Sequence, residues 1–127
     1  MKNLTAKQRI KVLIIDDEIG IRELLSEILL DEGYAVVTAH DAASAQQMRL
    51  QEAPEIILLD IWMPDMDGIS LLRQWSEAGF PNVPVIIMSG HATIDTAVEA
   101  TRLGALEVLE KPITTTRLLQ AVEKAKI

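Results

Sequence analysis

At 127 residues with 49% apolar side chains, the chain can bury one sizeable core but is too short for two ordinary domains. A net charge of −7, from 19 acidic and 12 basic residues, would repel a nucleic-acid backbone, which excludes direct DNA or RNA contact. No apolar run approaches the ~18 residues of a bilayer crossing, cysteine is absent, and polar residues 1–9 do not form a secretory signal, so a cytoplasmic protein is expected.

Residues 1–9 read as a polar extension and 10–127 as a single domain. The first apolar tetrad, VLII at 12–15, is rich in β-branched residues and too short for a helix, so it reads as a strand buried on both faces. Ile21, Leu24, Leu25, Ile28 and Leu29 then fall on one stripe at the 3.6-residue period, an amphipathic helix that stops before Gly33. A weaker strand follows at 34–38, and Asp41 is placed to cap a second helix running through Met48. IILL at 56–59 is the third strand, after which Gly68 opens a third helix through Leu72 and Trp75. VIIM at 85–88 is the fourth strand, and Thr93 can cap a helix carrying Ile94, Ala97 and Val98. A half-polar strand at 106–109 and a last helix capped by Thr114, with Leu118, Leu119 and Val122 on one face, complete the pattern.

Strand and helix therefore alternate five times, which implies right-handed crossovers and a doubly wound α/β fold with a five-stranded parallel sheet. Periodicity does not give the strand order, but 2-1-3-4-5 puts the three most apolar strands inside and the two weaker ones at the edges.

The polar residues that follow the strands are Asp16, Asp17 and Glu18 after the first, Asp60 at the end of the third, Ser89 after the fourth and Lys111 after the fifth. Carboxyl ends of such a sheet converge on one crevice where the strand order reverses. Taken singly, an acid at a strand end caps the next helix and a loop Lys or Ser is solvated. Together, clustered carboxylates would raise one another's pKa unless a cation sat among them, and a hard divalent ion with oxygen ligands, magnesium where phosphate chemistry follows, suits them. A carboxylate nucleophile, a cation, an ammonium and a hydroxyl fit phosphoryl transfer through an aspartyl phosphate. Acyl transfer does not fit, because His40 and His91 stand apart in loops and read as solvated.

VLIIDDE at 12–18, LLDIWMPDMDG at 58–68, VIIMSGHA at 85–92 and Lys111-Pro112 together resemble the receiver domains of two-component response regulators over essentially the whole chain. The strand order above is that of the family's flavodoxin-like fold, of which the family's chemotaxis member is a known example. The resemblance implies phosphorylation of Asp60 by a sensor histidine kinase. It implies magnesium on Asp17, Asp60 and the Trp62 carbonyl, assisted by Asp16, with Ser89 and Lys111 on the phosphoryl group. A cis Lys111–Pro112 peptide is implied too.

The stretch MSGHATIDTAVEATRLGA at 88–105 is similar to receivers of nitrogen-regulation-type transcription activators, which continue into an ATPase and a DNA-binding domain. The expectation is thus a signalling domain, excised from a longer regulator, that acts as phosphoacceptor and not as an enzyme on other substrates. Homodimerisation through the last two helices and last strand is a further family expectation. The alternative is a pseudo-receiver, an interaction domain without phosphorylation, although such domains usually lack part of the acidic set. A phosphatase using an aspartate nucleophile would want a second carboxylate where Trp62 stands, and a flavin site would not place Asp16, Asp17 and Glu18 against a phosphate.

One position departs from the family pattern, and a second is a local feature of the site. Val108 stands three residues before the lysine, where receivers usually carry a Tyr or Phe that turns inward on activation. Switching is then expected in residues 89–93 and the following helix without an aromatic partner. Trp62 is either a loop side chain packed on its neighbours or a shield keeping water off the phosphoryl group.

Overall fold

Short β-branched runs joined by amphipathic segments leave each strand dependent on its neighbours for hydrogen bonds and on helices for cover. The computed structural model describes residues 9–79, 83–90 and 94–126. In chain order the elements are β1 Lys11–Ile15, α1 Ile19–Asp31, β2 Ala35–Ala39, α2 Ala42–Glu52, β3 Ile56–Asp60, α3 Gly68–Glu77, β4 Val85–Ser89, α4 Ile94–Arg102, β5 Glu107–Glu110 and α5 Thr115–Ala125. All strand pairs are parallel and the order is β2-β1-β3-β4-β5, the expected one, with the three most apolar strands in the interior. Every residue of β3 and β4 is buried, whereas β2 and β5 at the edges are mostly half-exposed.

The alternation of side chains splits the core in two. Leu13, Ile15, Ile57, Leu59 and Ile87 pack under α2, α3 and α4, where Ala45, Leu71, Trp75 and Ala100 meet them. Val12, Ile14, Ile56, Leu58 and Met88 pack on the opposite face under α1 and α5, against Leu25, Leu29, Leu118 and Val122.

Local chemistry sets the helix ends. Asp41 and Ser44 form a reciprocal capping box on α2, Asp67 accepts from the Ser70 N–H on α3, and Thr114 accepts from the Arg117 N–H on α5. At the end of α1 the Gly33 N–H donates to Leu30 and the Tyr34 N–H to Leu29, a closure that needs the positive φ of 92° held by Gly33. Thr93, expected to cap α4, and His91 lie outside the described residues, as do residues 1–8 of the expected extension.

The structure corrects two helix faces. Leu24, expected on the buried stripe of α1, is 51% exposed, because α1 meets the sheet along Leu25 and Leu29 with Ile21 and Ile28 only half-buried. On α4, Ile94 and Val98 point to solvent and Ala100 is buried instead, a small side chain that lets the helix sit close to the sheet. The edge strands β2 and β5 each begin one residue later than their polarity pattern predicts.

Candidate functional site

The parallel register brings the strand ends level, with Ile15 beside Leu59, Asp60 beside Met88 and Ser89 beside Glu110. The residues just past these ends therefore meet at one edge of the sheet. Asp16 is fixed there by its N–H, which donates to the Ala39 carbonyl at 3.1 Å, and by its Oδ1, which accepts from the Glu18 N–H at 3.0 Å. Lys111 is fixed by its own N–H, which donates to the Ser89 carbonyl at 2.7 Å. Its peptide bond to Pro112 is cis.

The centre of the site is a shared ammonium. Lys111 Nζ lies 2.8 Å from Asp16 Oδ2 and 3.1 Å from Asp60 Oδ1. Both carboxylates are buried, at 0% and 2% exposure. The contact to Asp16 is a hydrogen bond, but Asp60 Oδ1 has no partner in hydrogen-bond geometry among the described residues, so the ammonium reaches it as a charge that is not aligned for donation. Burial, then the neighbouring Asp16 charge, pushes the Asp60 carboxyl up to about 6 despite Lys111. Burial presses the Lys111 ammonium toward a lower pKa, but its hydrogen bond to Asp16 and its close approach to the Asp60 carboxylate outweigh that and the net shift is upward.

The carboxylates of Asp16, Asp17 and Glu18 offer oxygens within 4.8 Å of one another. Asp17 and Glu18 are exposed, and with Asp60, Trp62, Met63, Pro64, Gly90 and Lys111 they line a cleft of about 400 Å³. An all-oxygen, acidic donor set beside a buried carboxylate oxygen lacking a hydrogen bond fits a hard divalent cation that retains water. The expected site residues Asp16, Asp17, Asp60 and Lys111 are thus together, and Trp62 lines the cleft with 63% of its surface exposed. Ser89 is buried at the end of β4. Val108 pairs with Ile87 and is half-buried in a neighbouring groove with Ile94, Ala97 and Ile113, which Lys111 also lines.

Three further residues shape the site. A Cβ on Gly68 would overlap the Asp60 carbonyl oxygen, so the start of α3 can approach the β3 end only as glycine, and its N–H donates to Ile61 at 2.7 Å. Asp65 accepts from the Ala42 and Ala43 N–H groups at 3.0 and 3.1 Å, tying the loop after Asp60 to the start of α2. Arg22 donates to the Asp16 carbonyl at 2.7 Å. Gly68 carries a signal in the sequence, as a glycine directly after a helix-capping aspartate. The partners of Asp65 and Arg22 are set by tertiary approach.

An acidic crevice at the carboxyl edge of a 2-1-3-4-5 sheet, with a lysine bridging two buried aspartates, defines the receiver class of signalling domain. The family model for the response regulator receiver domain matches residues 12–123, and the chain belongs to that family. It is 42% identical over 116 residues to the nitrogen assimilation regulatory protein NtrX of Azorhizobium caulinodans, covering 90% of this chain and 25% of that protein. Sporulation initiation phosphotransferase F of Bacillus subtilis is 38% identical over 90% of this chain and 91% of its own length. The crystal structure of the receiver domain of NtrX from Brucella abortus superposes with a TM-score of 0.83 at 42% identity, covering 90% of this chain and 96% of that one. The chain spans about a quarter of the length of the NtrX-type regulators it matches, at 24% and 25% for two of them. No helix among the described residues is long and apolar enough to cross a membrane.

Proposed function

We propose that this chain is the phosphoacceptor module of a two-component response regulator, with residues 10–127 as the receiver domain and Asp60 as the residue phosphorylated by a sensor histidine kinase. The observation that carries this reading is the Lys111 ammonium held between the buried carboxylates of Asp16 and Asp60.

The Asp60 carboxylate attacks the phosphorus of a phosphohistidine. The new bond is an acyl phosphate P–O bond, the P–N bond breaks, and the imidazole leaves with that electron pair. Lys111 compensates charge on the phosphoryl oxygens, as it now compensates Asp16 and Asp60, and the Ser89 hydroxyl donates to the modified site. Asp16, Asp17, Asp60 and the Trp62 carbonyl would hold magnesium, with Glu18 beside them. Magnesium, when bound, supplies Lewis-acid charge stabilisation to the transferring group.

Output passes to an attached ATPase and DNA-binding portion that activates transcription from the cytoplasm, and pairing of receivers through α4, β5 and α5 accompanies it. The resemblance of residues 88–105 to nitrogen-regulation-type receivers supports that assignment. The test of the core reading is intact mass after incubation with acetyl phosphate and magnesium. Wild type gains one phosphoryl mass and Asp60→Asn gains none; an unmodified wild type overturns the proposal.

A further inference from the structure

The start of α1 is built against the usual rules for a helix N-terminus. Its N-cap, Glu18, makes no side-chain capping hydrogen bond, and no acidic residue occupies the first turn. The fourth helical residue is instead a cation, Arg22, where the helix dipole favours negative charge. The helix dipole gives no reason for a cation here. Its contact does: Arg22 Nη1 donates to the main-chain carbonyl of Asp16 at 2.7 Å, the short distance of a charge-assisted bond.

That carbonyl is the one polar position of Asp16 that the other contacts leave over. The Asp16 N–H is held by Ala39, its Oδ1 by the Glu18 N–H and its Oδ2 by Lys111. With Arg22 on the carbonyl, all four polar positions of Asp16 are tied, two of them to other strands' ends and two to its own loop and helix. The peptide held by Arg22 leads directly into Asp17, whose side chain and that of Glu18 are otherwise exposed. Arg22 is half-buried and forms no ion pair with a carboxylate among the described residues, so its guanidinium is directed at the backbone of the loop and not at neutralising the acidic trio.

We infer that Arg22 is a positioning residue for the cation-binding loop 16–18, acting through the Asp16 carbonyl to preset the carboxylates. The inference rests on the proposed magnesium role of that loop. A positive charge near a cation site weakens cation binding by repulsion, so its removal should tighten binding if charge alone mattered. Loss of a positioning contact does the opposite, because ordering the loop then falls on the binding step.

Two measurements on wild type, R22A and R22K decide it. In EDTA, amide exchange at Glu18, whose N–H is held by Asp16 Oδ1, should accelerate about tenfold or more in R22A, the factor expected from losing a hydrogen bond to a charged group. R22K, which keeps a cationic donor, should stay closer to wild type. In calorimetric titration with magnesium chloride, R22A should bind several-fold more weakly and R22K should recover most of the loss. Unchanged Glu18 exchange in R22A, or magnesium binding equal to or tighter than wild type, overturns the inference. A wild type that binds no magnesium overturns the metal reading of the loop, and the exchange measurement still decides whether Arg22 holds it. A circular dichroism melt in EDTA checks that R22A is folded.

Discussion

Asp60 titrates against its own fold. Its carboxyl is raised to about 6, chiefly by burial, so the folded chain binds the proton more tightly than the unfolded one. A raised acid contributes stability below its unfolded value near 4, and that contribution is lost as pH climbs through about 6. At pH 7 in EDTA, Asp60→Asn should therefore melt higher than wild type, by the equivalent of about 1–3 kcal/mol. The gap should close toward pH 4. A lower melt for Asp60→Asn at pH 7 would mean that the Lys111 contact outweighs burial. Trp62 differs, being 63% exposed and therefore contributing little to the core. Trp62→Ala should leave stability within about 0.5 kcal/mol of wild type. If its ring shields the cleft it lines, the variant should lose its phosphoryl group at least about twofold faster, read from the decay of phosphorylated protein by intact mass. An unchanged half-life would reduce Trp62 to a loop side chain.

Among the elements, α3 and α4 bear on the site in different ways. The first residue of α3 crowds the carbonyl of Asp60 itself, and backbone oxygen cannot move aside as a flexible side chain would. Gly68→Ala should cost about 1–3 kcal/mol, the range of overpacking, and chemical denaturation would measure it. The loss should be larger than for an alanine placed at Gly20, in α1, where nothing beyond its chain neighbours and its own helix backbone lies within 4 Å of a new Cβ. In α4, only Ala100 is buried, while Ile94 is 83% exposed, so few contacts hold the helix in one position. Val108 offers no ring to lock it. Amide exchange across residues 89–103 should therefore change when a beryllofluoride phosphoryl mimic is added with magnesium. An identical exchange pattern would exclude switching through this helix.

For the molecule as a whole, the acidic loop and Asp60 leave the metal-free form electrostatically frustrated, with a single ammonium shared by two buried acids. A ligand that binds only the folded state raises its melting temperature by mass action. Magnesium should thus raise the melting temperature at pH 7, and the gain should shrink as pH falls below about 6, where a proton on Asp60 competes for the same oxygens. A melt insensitive to magnesium at pH 7 would argue against the cation site.

Much of this architecture is written in short-range pattern. Three apolar tetrads place β1, β3 and β4 in the interior because only a strand covered on both faces can be continuously apolar. Asp16, Asp17, Asp60, Ser89 and Lys111 could be assigned to one edge because parallel strands all point the same way. The rotation of α1 and α4 about their own axes was not legible, since Leu24 and Val98 are as apolar as the residues that are buried. The choice between them depends on how closely each helix approaches the sheet. Nor could sequence alone pair Arg22 with the Asp16 carbonyl, Asp65 with the start of α2, or Lys111 with two acids at once. Periodicity and strand-end position fix which residues gather, because they follow from local backbone geometry. Which atoms touch, and so which carboxyl is pushed to about 6, is decided by long-range packing.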